Sequence, residues 1–195
     1  KKKKVIAFDP TVTNKFFIKE ILLSFVKLNL KSFLFSIINF YKFKKFFNLA
    51  ENKFFLKKIG KGGNVNQDYI SIDTIVKLVD RSKNIFFKID IEGSEYRILD
   101  DILKYQNIIS GLAIEFHDVD LNIEKISNFL TKFDLKLVHL HANNWMDYGL
   151  NNIPTCLEMS FSKNPSLISD NFNIPHKLDQ KNYENGKNIK IEFEN

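Results

Sequence analysis

Two carboxylates separated by one residue, Asp90 and Glu92, stand in the run KIDIEGSE, and a second polar pair with the same spacing, Glu115 and His117, stands in AIEFHD. In an extended chain, positions two apart project to the same side, so each pair presents its side chains together. His139 and His141 repeat the spacing and lead into Asn143, Asn144 and Trp145. Paired acids can take a proton, hold hydroxyl groups or bind a cation. Imidazole titrates near neutrality, which suits His117 to general-base work with Glu115 or Asp118 as the orienting neighbour. A competing reading has Asp90 and Glu92 capping the amides of a helix that starts at Gly93-Ser94. Convergence of these acids and histidines would also suit a hard ion or zinc, as in a metal-dependent hydrolase. No HExxH motif and no CxxC pair occurs, however, so no metal is assigned. Asp9 ends the run VIAF, where doubly wound folds place an acid that accepts from ribose hydroxyls; a helix cap or loop carboxylate is the equal alternative. Trp145 and Tyr148 either stack on a sugar or base or anchor their own loop. Cys156 lies in an apolar run without a local basic partner and reads as an inert buried thiol.

The elements that must position these residues follow from periodicity. Short apolar runs at Val5–Phe8, Lys53–Ile59, Ile85–Ile91, Gly111–Phe116, Leu135–Leu140 and Cys156–Phe161 predict strands. Apolar residues at steps of three and four predict one long helix or two over Asn14–Phe47, and shorter helices over Ile70–Val79, capped by Asp73, over Ser94–Lys104 and over Ile123–Phe133. Gly60-Lys61-Gly62-Gly63 reads as a turning loop without the pattern of a phosphate-binding loop. Ile189–Phe193 reads as a small edge strand. Alternating strands and helices predict an α/β fold with a mostly parallel sheet flanked by helices. Ligands in such sheets sit beyond the carboxyl ends of the strands, where the polar residues named above fall.

Composition narrows the classes. With 195 residues, 44% hydrophobic and 27% charged, the chain matches a globular domain able to bury a core. It is read as a single domain, 1–163 forming the core and 164–195 a polar extension. One cysteine excludes an internal disulfide. Residues 1–65 carry 15 lysines against Asp9, Glu20 and Glu51, whereas residues 66–195 carry 14 basic and 20 acidic residues. Such asymmetry suits an anionic surface, and AT-rich codon usage produces the same lysine bias. Lys27, Asn29, Lys31 and Asn39 interrupt the most apolar stretch, Ile21–Phe40, which argues against a membrane span. Peripheral membrane contact through residues 14–47 is the alternative to a simple core-packing role. No nucleic-acid module is recognisable, and no signal segment is seen, so a cytoplasmic or membrane-peripheral location is expected.

VIAFDP (Val5–Pro10), ISIDTIV (Ile70–Val76), FKIDIEGSEYRIL (Phe87–Leu99), GLAIEFHD (Gly111–Asp118), LVHLHANNW and IPTCLEMSF together resemble the FkbM-type methyltransferase family. The resemblance implies a class I, Rossmann-like methyltransferase fold. It also implies S-adenosylmethionine as methyl donor and a hydroxyl of a glycan, polyketide or related small molecule as acceptor. By resemblance Asp9 would hold the cofactor ribose. Asp90 and Glu92 would line the cofactor and acceptor side, His117 would serve as base with His141 behind it, and Glu115, Asn143, Asn144 and Trp145 would face the acceptor. The family's first strand and DxGAN-like glycine loop have no counterpart here, since no glycine precedes Gly60. The sequence is therefore expected to be an N-terminally incomplete or degenerate domain that binds the cofactor weakly by itself. The alternative is an inactive binding module docking through its basic N-terminal helix.

Overall fold

The computed structural model describes residues 3–49, 51–61, 68–79, 84–166, 174–177 and 179–191. The chain divides into two compact units, Lys1–Ile70 and Ser71–Asn195.

In the first unit, strand β1 (Ile6–Phe8) is followed by helices α1 (Asn14–Val26) and α2 (Leu30–Phe47), then by short strands β2 (Lys53–Phe55), β3 (Lys58–Ile59) and β4 (Tyr69–Ile70). β1 pairs in parallel with β2, and β3 with β4. Residues 14–47 thus form two helices. Leu28 takes a left-handed φ of 51° that no helix continues through, and Asn29 then caps α2 by accepting from the Ser32 amide. Thr13 caps α1 in the same way. The two helices meet through Phe17, whose ring lies 5.0 Å from those of Phe40 and Phe43. Lys53–Ile59, expected as one strand, is two, interrupted at Leu56-Lys57. Gly62 and Gly63 of the expected turning loop lie outside the described residues.

The second unit begins with α3 (Ile72–Lys77). Its cap is Ser71, whose hydroxyl accepts from the Thr74 amide; Asp73, expected in that role, instead pairs with Lys104 at 2.9 Å. Strand β5 (Ile85–Ile89), a 3-10 turn (Glu95–Arg97), α4 (Leu99–Lys104), β6 (Ile109–His117), α5 (Val119–Lys132), β7 (Lys136–Ala142) and β8 (Cys156–Ser162) follow. The segment Ser94–Lys104 is therefore a 3-10 turn joined to a short helix.

The four strands form one sheet in the order β5-β6-β8-β7. β5 and β6 are parallel, while β8 runs antiparallel to both β6 and β7. The expected mostly parallel sheet is thus a mixed one. The reason lies in the connections: crossovers containing helices join β5 to β6 and β6 to β7, keeping those three strands pointing one way. β7 reaches β8 through a loop without an α-helix, so β8 returns in the opposite sense.

Along β6, Leu112, Ile114 and Phe116 are buried and alternate with half-exposed Ala113, Glu115 and His117. The apolar face packs on α5 through the Phe116, Phe129, Phe133 and Phe161 rings. The half-polar face carries the residues that drew attention in the sequence. Of the expected edge strand, Ile189–Ile191 is irregular, and residues 192–193 lie outside the described residues.

Candidate active site

The site is built where β5 and β6 end side by side. After Ile89 the chain turns sharply, with Glu92 at φ 53° and Gly93 at φ 87°, a left-handed pair that glycine makes accessible. Glu95, 0% exposed, locks the turn: its Oε1 accepts from the Ile91 and Gly93 amides at 3.1 and 3.2 Å. The same oxygen lies 3.2 Å from His117 Nδ1. An ionised Glu95 only accepts, so with it Nδ1 is the donor, and Nε2 is the ring nitrogen directed at the other two carboxylates. Nε2 lies 3.5 Å from Glu92 Oε2 and 4.0 Å from Glu115 Oε1. The His117 backbone is fixed as well, its carbonyl accepting from the Tyr96 hydroxyl. Burial, then the nearby Glu95 and Asp118 charges, hold that phenol well above its ordinary range, so it remains a donor.

Glu115 is a second hub. Its Oε1 accepts from Asn143 Nδ2 at 2.7 Å and from the Cys156 thiol at 3.1 Å. Burial first, and the Glu115 hydrogen bond second, push the Cys156 thiol far above its usual range. The expected inert role of Cys156 fits that position. Asn143 Oδ1 in turn accepts from the Trp145 amide, tying the loop after β7 to Glu115.

Asp90, Glu92, Glu115, His117 and Asn143 are thus brought together. Ligand atoms of Asp90, Glu92 and His117 lie within 4.8 Å of one another, as do those of Glu115, His117 and Cys156. Both sets have a cation-compatible spacing, the first exposed and the second drawing on the buried Cys156 thiol.

Other expected site residues are engaged differently. His141 lies level with Glu158 and Glu115 across the sheet and pairs with Asp179 at 3.4 Å, and its Nε2 contacts Asn182 Oδ1 at 3.2 Å. His139 pairs with the other oxygen of Asp179 at 2.9 Å. Asn144 is buried and exchanges two hydrogen bonds with the Tyr183 backbone. Trp145 is 68% exposed, its ring edge-on to Tyr183. In the first unit, Asp9 Oδ1 accepts from Thr11 N and Oγ1 and from Val12 N, tying its own loop.

Sequence reasoning missed Glu95. The available signal was a glutamate two residues after Gly93, beside a turn whose amides need an acceptor.

A family model described as the Methyltransferase FkbM domain matches residues 2–147. The chain belongs to the FkbM methyltransferase family. No curated protein and no solved structure matches it. The FkbM match spans residues 2–147, covering nearly all of the first unit and the second as far as residue 147, and takes in Asp90, Glu92, Glu95, Glu115 and His117. It stops before β8, so the Cys156 thiol and the segment that engages His139 and His141 stand outside it.

Proposed function

We propose that this chain is the greater part of an S-adenosylmethionine-dependent O-methyltransferase domain acting on a hydroxyl of a glycan or related small molecule, its two units serving as one domain. The observation that carries the reading is His117, oriented on Nδ1 by buried Glu95 and presenting Nε2 at the carboxyl ends of parallel strands. Nε2 takes the proton from the acceptor hydroxyl. The imidazolium that results has Glu92 and Glu115 beside it, within 3.5 and 4.0 Å, to stabilise the positive charge.

The donor, when bound, supplies an electrophilic methyl carbon. The chain's own part is to align the acceptor oxygen and deprotonate it. Asp90 fits a hydroxyl-binding role, being an exposed carboxylate just past the end of β5, near Glu92 and His117 and held by a long 3.8 Å ion pair to Lys88. Asp9 fits less fully, since its loop bonds all use Oδ1. Glu115 faces the acceptor, buried Asn143 positions it and ties in the Trp145 loop, and Trp145 offers an exposed ring on which a sugar can stack. His141 and Asn144 support this side through Asp179, Asn182 and Tyr183. With no glycine before Gly60, the chain has no glycine loop for the donor's amino-acid portion and is expected to bind it weakly.

The test is transfer of labelled methyl to a glycan pool, together with calorimetric titration with S-adenosylhomocysteine. Both are made on this chain and on any longer natural protein that carries it. His117→Ala should lower turnover by about 10²–10⁴-fold while leaving the titration unchanged. Undiminished turnover would remove His117 as base, and absence of binding by every form would remove the cofactor assignment.

A further inference from the structure

We propose that the α1–α2 hairpin is a membrane-surface anchor whose tip, Phe25 to Leu30, enters the headgroup region of a bilayer containing anionic lipid. Three observations converge on this partner. First, the hairpin leaves much of its apolar surface in solvent: α2 contains no buried residue, α1 buries only Ser24, and even Phe17, Phe40, Phe43 and Phe47, which touch one another, are only half-buried. Exposure peaks at the tip, where Phe25, Val26, Leu28 and Leu30 are all exposed and Leu28 reaches 89%. A contiguous apolar surface of this kind marks an interaction site rather than ordinary surface scatter.

Second, the charge selects an anionic partner. Residues 14–49 carry Lys15, Lys19, Lys27, Lys31, Lys42, Lys44 and Lys45 against Glu20 alone. Lys27 lies within the tip and Lys31 directly after it, where long stems allow the ammonium groups to reach phosphates while the apolar neighbours go deeper.

Third, the shape favours a fluid. Exposed apolar residues are spread along both helices instead of forming one seam, and a shallow groove on α1 is lined by Ile18, Leu22, Leu23 and Val26 together with Lys15 and Lys19. Lipid conforms to such an outline, whereas a folded partner would have to match it. No helix among the described residues is long and apolar enough to cross a membrane, so the contact lies at the surface. The inference is independent of the methyl-transfer reading.

The experiment is sedimentation of the chain with vesicles of phosphatidylcholine alone and of phosphatidylcholine mixed with phosphatidylserine, at low and high salt. Binding is expected only to the mixed vesicles, with release by salt. Lys27→Gln and Lys31→Gln should each weaken it about fivefold, while Lys132→Gln on α5 leaves it unchanged. Leu28→Asn removes the most exposed apolar side chain and puts at the left-handed position a residue that tolerates it. The hairpin should therefore keep its helical circular dichroism while vesicle binding falls. Equal binding to neutral vesicles, absence of binding to both, or indifference to these substitutions would overturn the proposal. So would concentration-dependent self-association abolished by Leu28→Asn, which would identify a second copy as the occupant.

Discussion

The two units contain similar kinds of residue and use them differently. All the buried hydrophobic side chains among the described residues lie between Ile72 and Phe161, in the second unit. The first unit has Phe17, Phe40, Phe43, Phe47 and Phe54 in mutual contact, yet none of them is buried. A four-stranded sheet packed against α5 encloses its apolar side chains; a two-helix hairpin with two short strand pairs does not. The difference teaches that apolar periodicity specifies a helix without specifying that the helix has a core to cover. It also separates the tasks: the site that orients His117 is built on the well-packed unit, as positional precision requires.

The comparison is testable by stability. Phe116→Ala, at a fully buried ring, should cost about 3–5 kcal/mol, read from denaturant midpoints. Phe25→Ala on α1 should cost less than about 0.5 kcal/mol, and an equal loss at the two sites would break the contrast. Next in size is Glu95→Ala, which leaves the Ile91 and Gly93 amides without their acceptor and should cost about 1–3 kcal/mol. Here Glu95→Gln sharpens the result, because its amide oxygen can still accept from the turn. It should restore much of the stability and still shift the nitrogen chemical shifts that report the His117 tautomer in NMR.

Smaller, and opposite in sign, is Leu28→Gly, which removes the left-handed strain of a residue with a Cβ and should stabilise by up to about 1 kcal/mol. A thermal melt monitored by helical dichroism decides it. The smallest effect concerns acid. The Lys104 hydrogen bond holds the Asp73 carboxyl below its ordinary range, so the pair contributes stability above the usual aspartate range and loses it as pH falls through the lowered value. Both side chains are substantially exposed, so the contribution is modest and screened by salt. Asp73→Asn should make the acid limb of the stability curve slightly less steep, and an unchanged limb would show the pair to be inert.

The sequence by itself determined the strand-turn-helix unit around KIDIEGSE, the strand over AIEFHD and the family to which the chain belongs. Alternation places Glu115 with His117 on β6; Asp90 and Glu92, expected on one side of a strand reaching Ile91, lie past the end of β5 at Ile89, and the turn at Glu92-Gly93 brings them together instead. It determined equally that residues 14–47 are helical and strongly basic.

Tertiary structure decided the rest. Glu95 became the residue that orients His117 because β5 and β6 lie side by side, bringing positions 22 apart in sequence within 3.2 Å. His141 and Asn144 were drawn toward Asp179, Asn182 and Tyr183 by a segment about 40 residues later, which no local pattern encodes. β8 entered the sheet between β6 and β7 in the reverse direction, a choice made by the connection and by pairing across the sheet rather than by the strand's own residues. The physical reason is the same in each case. Local sequence fixes backbone conformation and the side to which a residue points, while hydrogen-bond partners and burial belong to whichever distant element folding brings alongside.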